Sequence, residues 1–143
     1  MVPECQFSGV VIAAGSLAPP ELREVGAHVM GFQSPSGILS GQGVLAEYVR
    51  IPATHLMKLP DAMEVEHAAA LIGPGCTALK MVRAAGVQSG DRVLVNGASG
   101  SVGSMAVQLC KERGAEVVGV ASGANEELVR GLGADEVSFA PIE

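Results

Sequence analysis

Residues 93–120, VLVNGASGSVGSMAVQLCKERGAEVVGV, constrain what this chain can fold into more than any other stretch. An apolar run ends in a glycine-rich turn, a helical pattern follows, and a second apolar run closes the segment. Val102, Ala106, Leu109 and Cys110 recur at helical spacing, which predicts a helix with one inward face. The runs RVLV and AEVVGVA are continuously apolar rather than alternating, as expected of parallel strands covered on both faces. Downstream, Asn125 is expected to cap a further helix, with Glu126 and Glu127 in its first turn and Leu128, Val129 and Leu132 facing inward. Gly133 ends that helix, and EVSF begins a third strand. The expected order β-α-β-α-β is half of a wound nucleotide-binding sheet.

The turn itself reads Ala98-x-Gly100-x-x-Gly103, between a strand and a helix, which is the context a dinucleotide fingerprint requires. Gly100 lets backbone approach a pyrophosphate, and Gly103 lets the helix pack close to the strand. Ser99, Gly100, Ser101, Val102 and Gly103 are therefore the candidate cofactor contacts. Helix-start N–H groups and the helix dipole face the phosphates, and the two serines add hydroxyl donors. A merely tight structural turn is the alternative. About 20 residues on, an Asp or Glu would bind a ribose 2′-hydroxyl and favour NAD. Ala121-Ser122-Gly123-Ala124 stands there instead, so a 2′-phosphate meets no carboxylate and Ser122 can donate to it. NADP is the expected cofactor, although no Arg or Lys is in place to grip its extra phosphate.

The first sixty residues have a different character. QFSGVVIAA is a β-rich apolar run, AHVMGF a short strand, QSPSGILSGQG a loop, and VLAEYVRIP a strand closed by Pro52. No helical periodicity is seen before about residue 60. Asp61 is then expected to cap a helix that runs to Gly73-Pro74-Gly75, and a second helix to run from Thr77 to Ala85. The domain expectation is 1–72 and 73–143.

The charge balance excludes some partners. Nine Lys and Arg against fifteen Asp and Glu, with no basic cluster, give nucleic acid or an anionic membrane little to bind. The apolar run at residues 10–14 is too short to span a bilayer, and Glu4 sits where a signal peptide wants basic residues. Three cysteines, Cys5, Cys76 and Cys110, form no pairing pattern, so reduced thiols in the cytoplasm are expected. Cys76 and Cys110 read as buried small hydrophobes. His28, His55 and His67 make no ligand spacing, and Cys5 lacks partners for a zinc site, so no metal is expected. Tyr48, the one tyrosine, reads as a packing residue on a strand rather than a proton donor.

Four stretches together resemble the medium-chain dehydrogenase/reductase superfamily, in its zinc-independent quinone oxidoreductase and enoyl reductase branch. They are FSGVV, GVLAEYVRIPATHLMKLPDAM, residues 66–120, and ELVRGLGADEV. The resemblance implies an α/β fold: part of a GroES-like β-barrel followed by the first half of a Rossmann sheet. It also implies NADPH-dependent reduction of an activated alkene, quinone or carbonyl. Where zinc-dependent relatives have a ligand histidine and a glutamate, Cys5 and Gln6 stand here, and a later ligand cysteine falls at Gly73. The family's Thr-Ala-Tyr is Thr77-Ala78-Leu79, which places Thr77 either beside the nicotinamide or at a helix N-cap. Ala124 stands where reductases of this branch often carry a basic residue. No catalytic residue is identifiable. Family members have more sequence at both ends, so the chain is expected to start inside the barrel and stop inside the Rossmann sheet. A bare sheet edge would then favour self-association, and the rival reading is a non-catalytic nucleotide-binding or interaction module.

Overall fold

Parallel pairing of apolar strands linked by helices organises the second part of the chain, as a computed structural model describing residues 5–139 makes plain. The chain divides into two units, Met1–Gly73 and Pro74–Glu143. In the first, β1 (Gln6–Val10), β2 (His28–Phe32) and β3 (Leu56–Lys58) form an antiparallel sheet in the order β1-β2-β3. Adjacent side chains of β2 point to opposite faces of the sheet. Val29 packs with Val11, Leu22 and Ala27, whereas Met30 packs with Leu59 and Ala68.

Several expectations for this unit are corrected. The run expected over 6–14 is a strand only to Val10. The loop expected over 33–43 contains a short helix, α1 (Pro35–Leu39), whose start Ser34 caps by accepting from the Gly37 N–H at 3.2 Å. Ser followed by Pro is a helix-start signal, since Pro at the first helical position loses no hydrogen bond. No strand forms over 44–52. The Ala46 N–H closes a tight turn on the Val44 carbonyl at 2.9 Å, and Tyr48 is exposed rather than packed. Alternation alone does not make a strand when no partner lies alongside. Asp61 lies in a turn and caps nothing; the Glu64 carbonyl accepts from the Ala68 N–H at the actual helix start.

The two helices expected on either side of Gly73-Pro74-Gly75 are one helix, α2 (Val65–Ala84), with Pro74 inside it. An interior proline costs about 3 kcal/mol through its missing N–H. Packing along both halves offsets that: Ala68 and Ile72 join the first unit's core, while Ala78 and Val82 join the second unit's. Cys76 is exposed on this helix, not buried as expected.

In the second unit β4 (Arg92–Asn96), β5 (Glu116–Ala121) and β6 (Glu136–Phe139) make a parallel sheet in the order β4-β5-β6. Helices α3 (Ser101–Glu112) and α4 (Glu126–Gly131) connect and cover them. The largest fully buried side chains are Val107 and Cys110 of α3, Val117 of β5 and Val129 of α4. Val102 and Leu109 are only partly buried, so the inward face of α3 lies closer to Val107 than the sequence reading placed it. Leu128 is exposed, a second correction, because Val129 takes the inward position on so short a helix. Among the described residues β4 pairs only with β5, and Leu94 is 65% exposed. No helix among them is long and apolar enough to cross a membrane.

Ion pairs join the N-terminal ends of the three parallel strands. Arg92 reaches Glu116 and Glu136, each at 3.0 Å, and Lys111 reaches Asp135 at 2.8 Å. Asp135 also accepts from the Val117 N–H at 2.7 Å. The Lys111 bond and that N–H hold the Asp135 carboxyl below its ordinary value of 3.8. A lowered carboxyl pKa stabilises the fold fully above the ordinary value, and the contribution is lost as pH falls through the lowered one. Asp135→Asn is therefore expected to lower Tm at neutral pH and to flatten the acid limb of Tm against pH. Thermal denaturation of both proteins across the acid range checks this; parallel acid limbs would refute it.

Candidate functional site

In a parallel sheet, strand ends on the same side carry the loops that meet. Asn96, which ends β4, is in register with Val120, next to the end of β5. The loop after β4 therefore lies beside the loop after β5. The first loop begins at Gly97, whose φ of +71° a side-chain-bearing residue would strain to adopt. The Ala98 N–H then returns to the Val120 carbonyl at 2.9 Å, and Ala98 is fully buried. The tight-turn role thus falls on Gly97, not on the alanine position of the expected fingerprint. Its signal was the Asn96-Gly97 pair, a turn dipeptide directly after an apolar run.

Gly103 carries the close approach of α3 to this turn. A Cβ there would lie 2.8 Å from the Gly97 carbonyl carbon and 2.9 Å from the Ala98 Cα. Gly100, at the helix N-cap, is different: its φ is −75°, it is exposed, and a Cβ would meet only the Gly97 oxygen at 3.2 Å. No side chain caps the start of α3. The first N–H groups of a helix have no carbonyl upstream within it, so those of Ser101, Val102 and Gly103 lie at a dipole end suited to an anion.

Ser122 follows β5 and starts a 3-10 turn over Gly123–Asn125. Asn125 occupies the N-cap position of α4, but its side chain does not cap, contrary to expectation. Its Nδ2 instead donates to Ser122 Oγ at 2.9 Å and to Ser99 Oγ at 3.2 Å. The expected residues Ser99–Gly103 and Ser122 are thus brought together, and Asn125 is an addition that sequence reasoning missed. The Ser99 contact spans 26 residues and exists only once β4 and β5 pair. Thr77 is exposed in the interior of α2, which removes its N-cap reading.

In the first unit, Gln6 Oε1 accepts from the Gly73 N–H at 3.1 Å. A Cβ at Gly73 would collide with the Gln6 side chain at 2.5 Å. Where the resemblance puts a ligand cysteine, a glutamine amide therefore occupies the space. Among the described residues no three His, Cys, Asp or Glu side chains group closely enough to hold a metal ion. His55 stacks on Phe32, ring centroids 5.1 Å apart, with its Nδ1 buried and without a hydrogen-bond partner among the described residues.

No protein-family model matches the chain. The medium chain reductase of an Acremonium species is 45% identical over 95% of this chain and 42% of its own length. A trans-enoyl reductase of Penicillium oxalicum is 32% identical, over 95% of this chain and 41% of its own. Among solved structures, the quinone oxidoreductase of Thermus thermophilus, described alone and in complex with NADPH, superimposes with a TM-score of 0.70. It is 33% identical, covering 82% of this chain and 38% of its own. The chain thus spans about two fifths of the length of the relatives it matches. Over that span the chain is similar in sequence and in its α/β fold to a medium chain reductase, a trans-enoyl reductase and a quinone oxidoreductase.

Proposed function

We propose that this chain is the nucleotide-holding portion of an NADPH-dependent reductase. In this reading residues 1–72 are part of a GroES-like catalytic domain and 73–143 are the first half of a Rossmann domain. One observation carries the reading: the uncapped start of α3 and the hydroxyl of Ser122 meet at the C-terminal ends of parallel strands. Ligands of such sheets bind outside those ends. The donor set fits a dinucleotide, because backbone N–H groups and serine hydroxyls are what pyrophosphate and ribose phosphate oxygens accept from. The NADPH complex of a similar protein supports the choice of cofactor.

Ser101, Val102 and Gly103 would hold the pyrophosphate with their N–H groups, Gly100 leaves room for it, and Ser99 and Ser122 take the adenosine side. In this reading Thr77 would face the nicotinamide side. The cofactor supplies a hydride, and the acceptor is a small molecule with an activated alkene, quinone or carbonyl. Gln6 against Gly73 supports a reaction without zinc. The three unpaired thiols suit the cytoplasm.

The one-sided pairing of β4 and the exposure of Leu94 favour a second reading, a self-associating nucleotide-binding module without turnover. The two readings differ in steady NADPH oxidation with enones or quinones, which only the reductase sustains.

Gly100→Val is expected to abolish NADPH binding in calorimetry while leaving the far-UV spectrum unchanged, because residue 100 is exposed with ordinary backbone angles. Unaltered affinity would remove the nucleotide site from this turn. Ser122→Asp places a carboxylate beside the ribose and is expected to turn a preference for NADPH into one for NADH, by about tenfold or more in the ratio of dissociation constants. Tighter binding of NADH than of NADPH by the unmodified chain would contradict the assignment.

A further inference from the structure

We infer that Asn125 is the positioning residue that sets the NADPH-over-NADH choice at this site, an inference that rests on the nucleotide reading above. An asparagine amide nitrogen carries two protons. Asn125 directs one to Ser99 Oγ and one to Ser122 Oγ. Each hydroxyl that accepts in this way keeps its own proton free to donate outward. The two serines, which come from different loops, are thus both held as donors.

A phosphate monoester dianion is an acceptor on every oxygen, so two fixed donors suit it. A ribose hydroxyl must donate as well as accept and gains less from the same pair. Selection would then come from hydroxyl orientation rather than from a cation. Among the described residues no Lys or Arg bonds to Ser99, Ser122 or Asn125. The nearest carboxylate in sequence, Glu126, is held by Arg130 at 2.9 Å. The backbone fixes Asn125 in place, its N–H returning to the Ser122 carbonyl at 2.9 Å across the 3-10 turn.

Asn125→Asp keeps the shape but turns the group into an acceptor, so both serine protons swing inward and a negative charge is added. Calorimetric titration of NADPH and of NADH into the unmodified chain, Asn125→Asp and Asn125→Ala tests the inference. Asn125→Asp is expected to weaken NADPH by about tenfold or more while NADH changes by about twofold or less. Asn125→Ala releases the hydroxyls without adding charge and is expected to reduce the NADPH-to-NADH preference by about threefold, which serves if the aspartate variant does not fold. Equal weakening of both nucleotides would mean that Asn125 only shapes the loop, and would overturn the inference. So would an unchanged preference in either folded variant, with the nucleotide reading intact. Failure of the unmodified chain to bind either nucleotide would overturn both.

Discussion

The contact between α3 and the turn after β4 is what the second unit is built around. At residue 103 the helix backbone lies so near the Gly97 carbonyl that a single methyl group could not fit. That approach lets Val107 and Cys110 sit against Val117, and it lets Val129 close the core from α4. Burying one such side chain is worth about 1.5–3 kcal/mol, so several packed together supply a large share of a small unit's stability. The same approach aims the first N–H groups of α3 across the end of the sheet. One steric constraint therefore serves both the core and the site.

Charge is distributed along the sheet in a way that matters for a phosphate. Arg92, Glu116, Glu136, Lys111 and Asp135 are paired at the end where the parallel strands begin. Each exposed pair contributes about 0.2–1 kcal/mol, and their arrangement favours the observed register of β4, β5 and β6. The opposite end has hydroxyls, an amide and backbone N–H groups. An anion approaching there meets partial charges fixed by the fold. Recognition at such a place depends on which way each hydrogen points.

In the first unit a side-chain amide fills the space beside a glycine. Gly73 has no side chain, and the Gln6 amide fills the space and bonds to its N–H. A glutamine–glycine contact of this kind links β1 to α2, and the Ser8 hydroxyl does the same through the Val65 carbonyl at 2.5 Å. Where the resemblance puts a ligand cysteine, Gly73 is here part of the hydrogen bonding that docks a helix on a sheet.

Local patterns were sufficient for the second unit. Continuous apolar runs, helical spacing over Val102–Cys110 and glycines at 100, 103 and 133 located three strands and two helices, because each element there is specified by its own residues. The resemblance rested on these residues and on two stretches of the first unit, FSGVV and GVLAEYVRIPATHLMKLPDAM. Where an element depends on a partner, the sequence misled. Residues 44–52 alternate like a strand but pair with none of the described strands, and Pro74 reads as a helix end but is carried by packing on both sides. The turn glycine was displaced by one position, since φ is decided by the return of the Ala98 N–H to β5. Asn125 has an ordinary capping sequence around it, and only the pairing of β4 with β5 brings Ser99 within its reach. The sequence alone determined that a strand, a glycine turn and a helix would follow one another and leave helix-start N–H groups at the turn. Tertiary structure decided which hydroxyls join them, because hydrogen-bond partners 26 residues apart are chosen by strand register and not by local propensity.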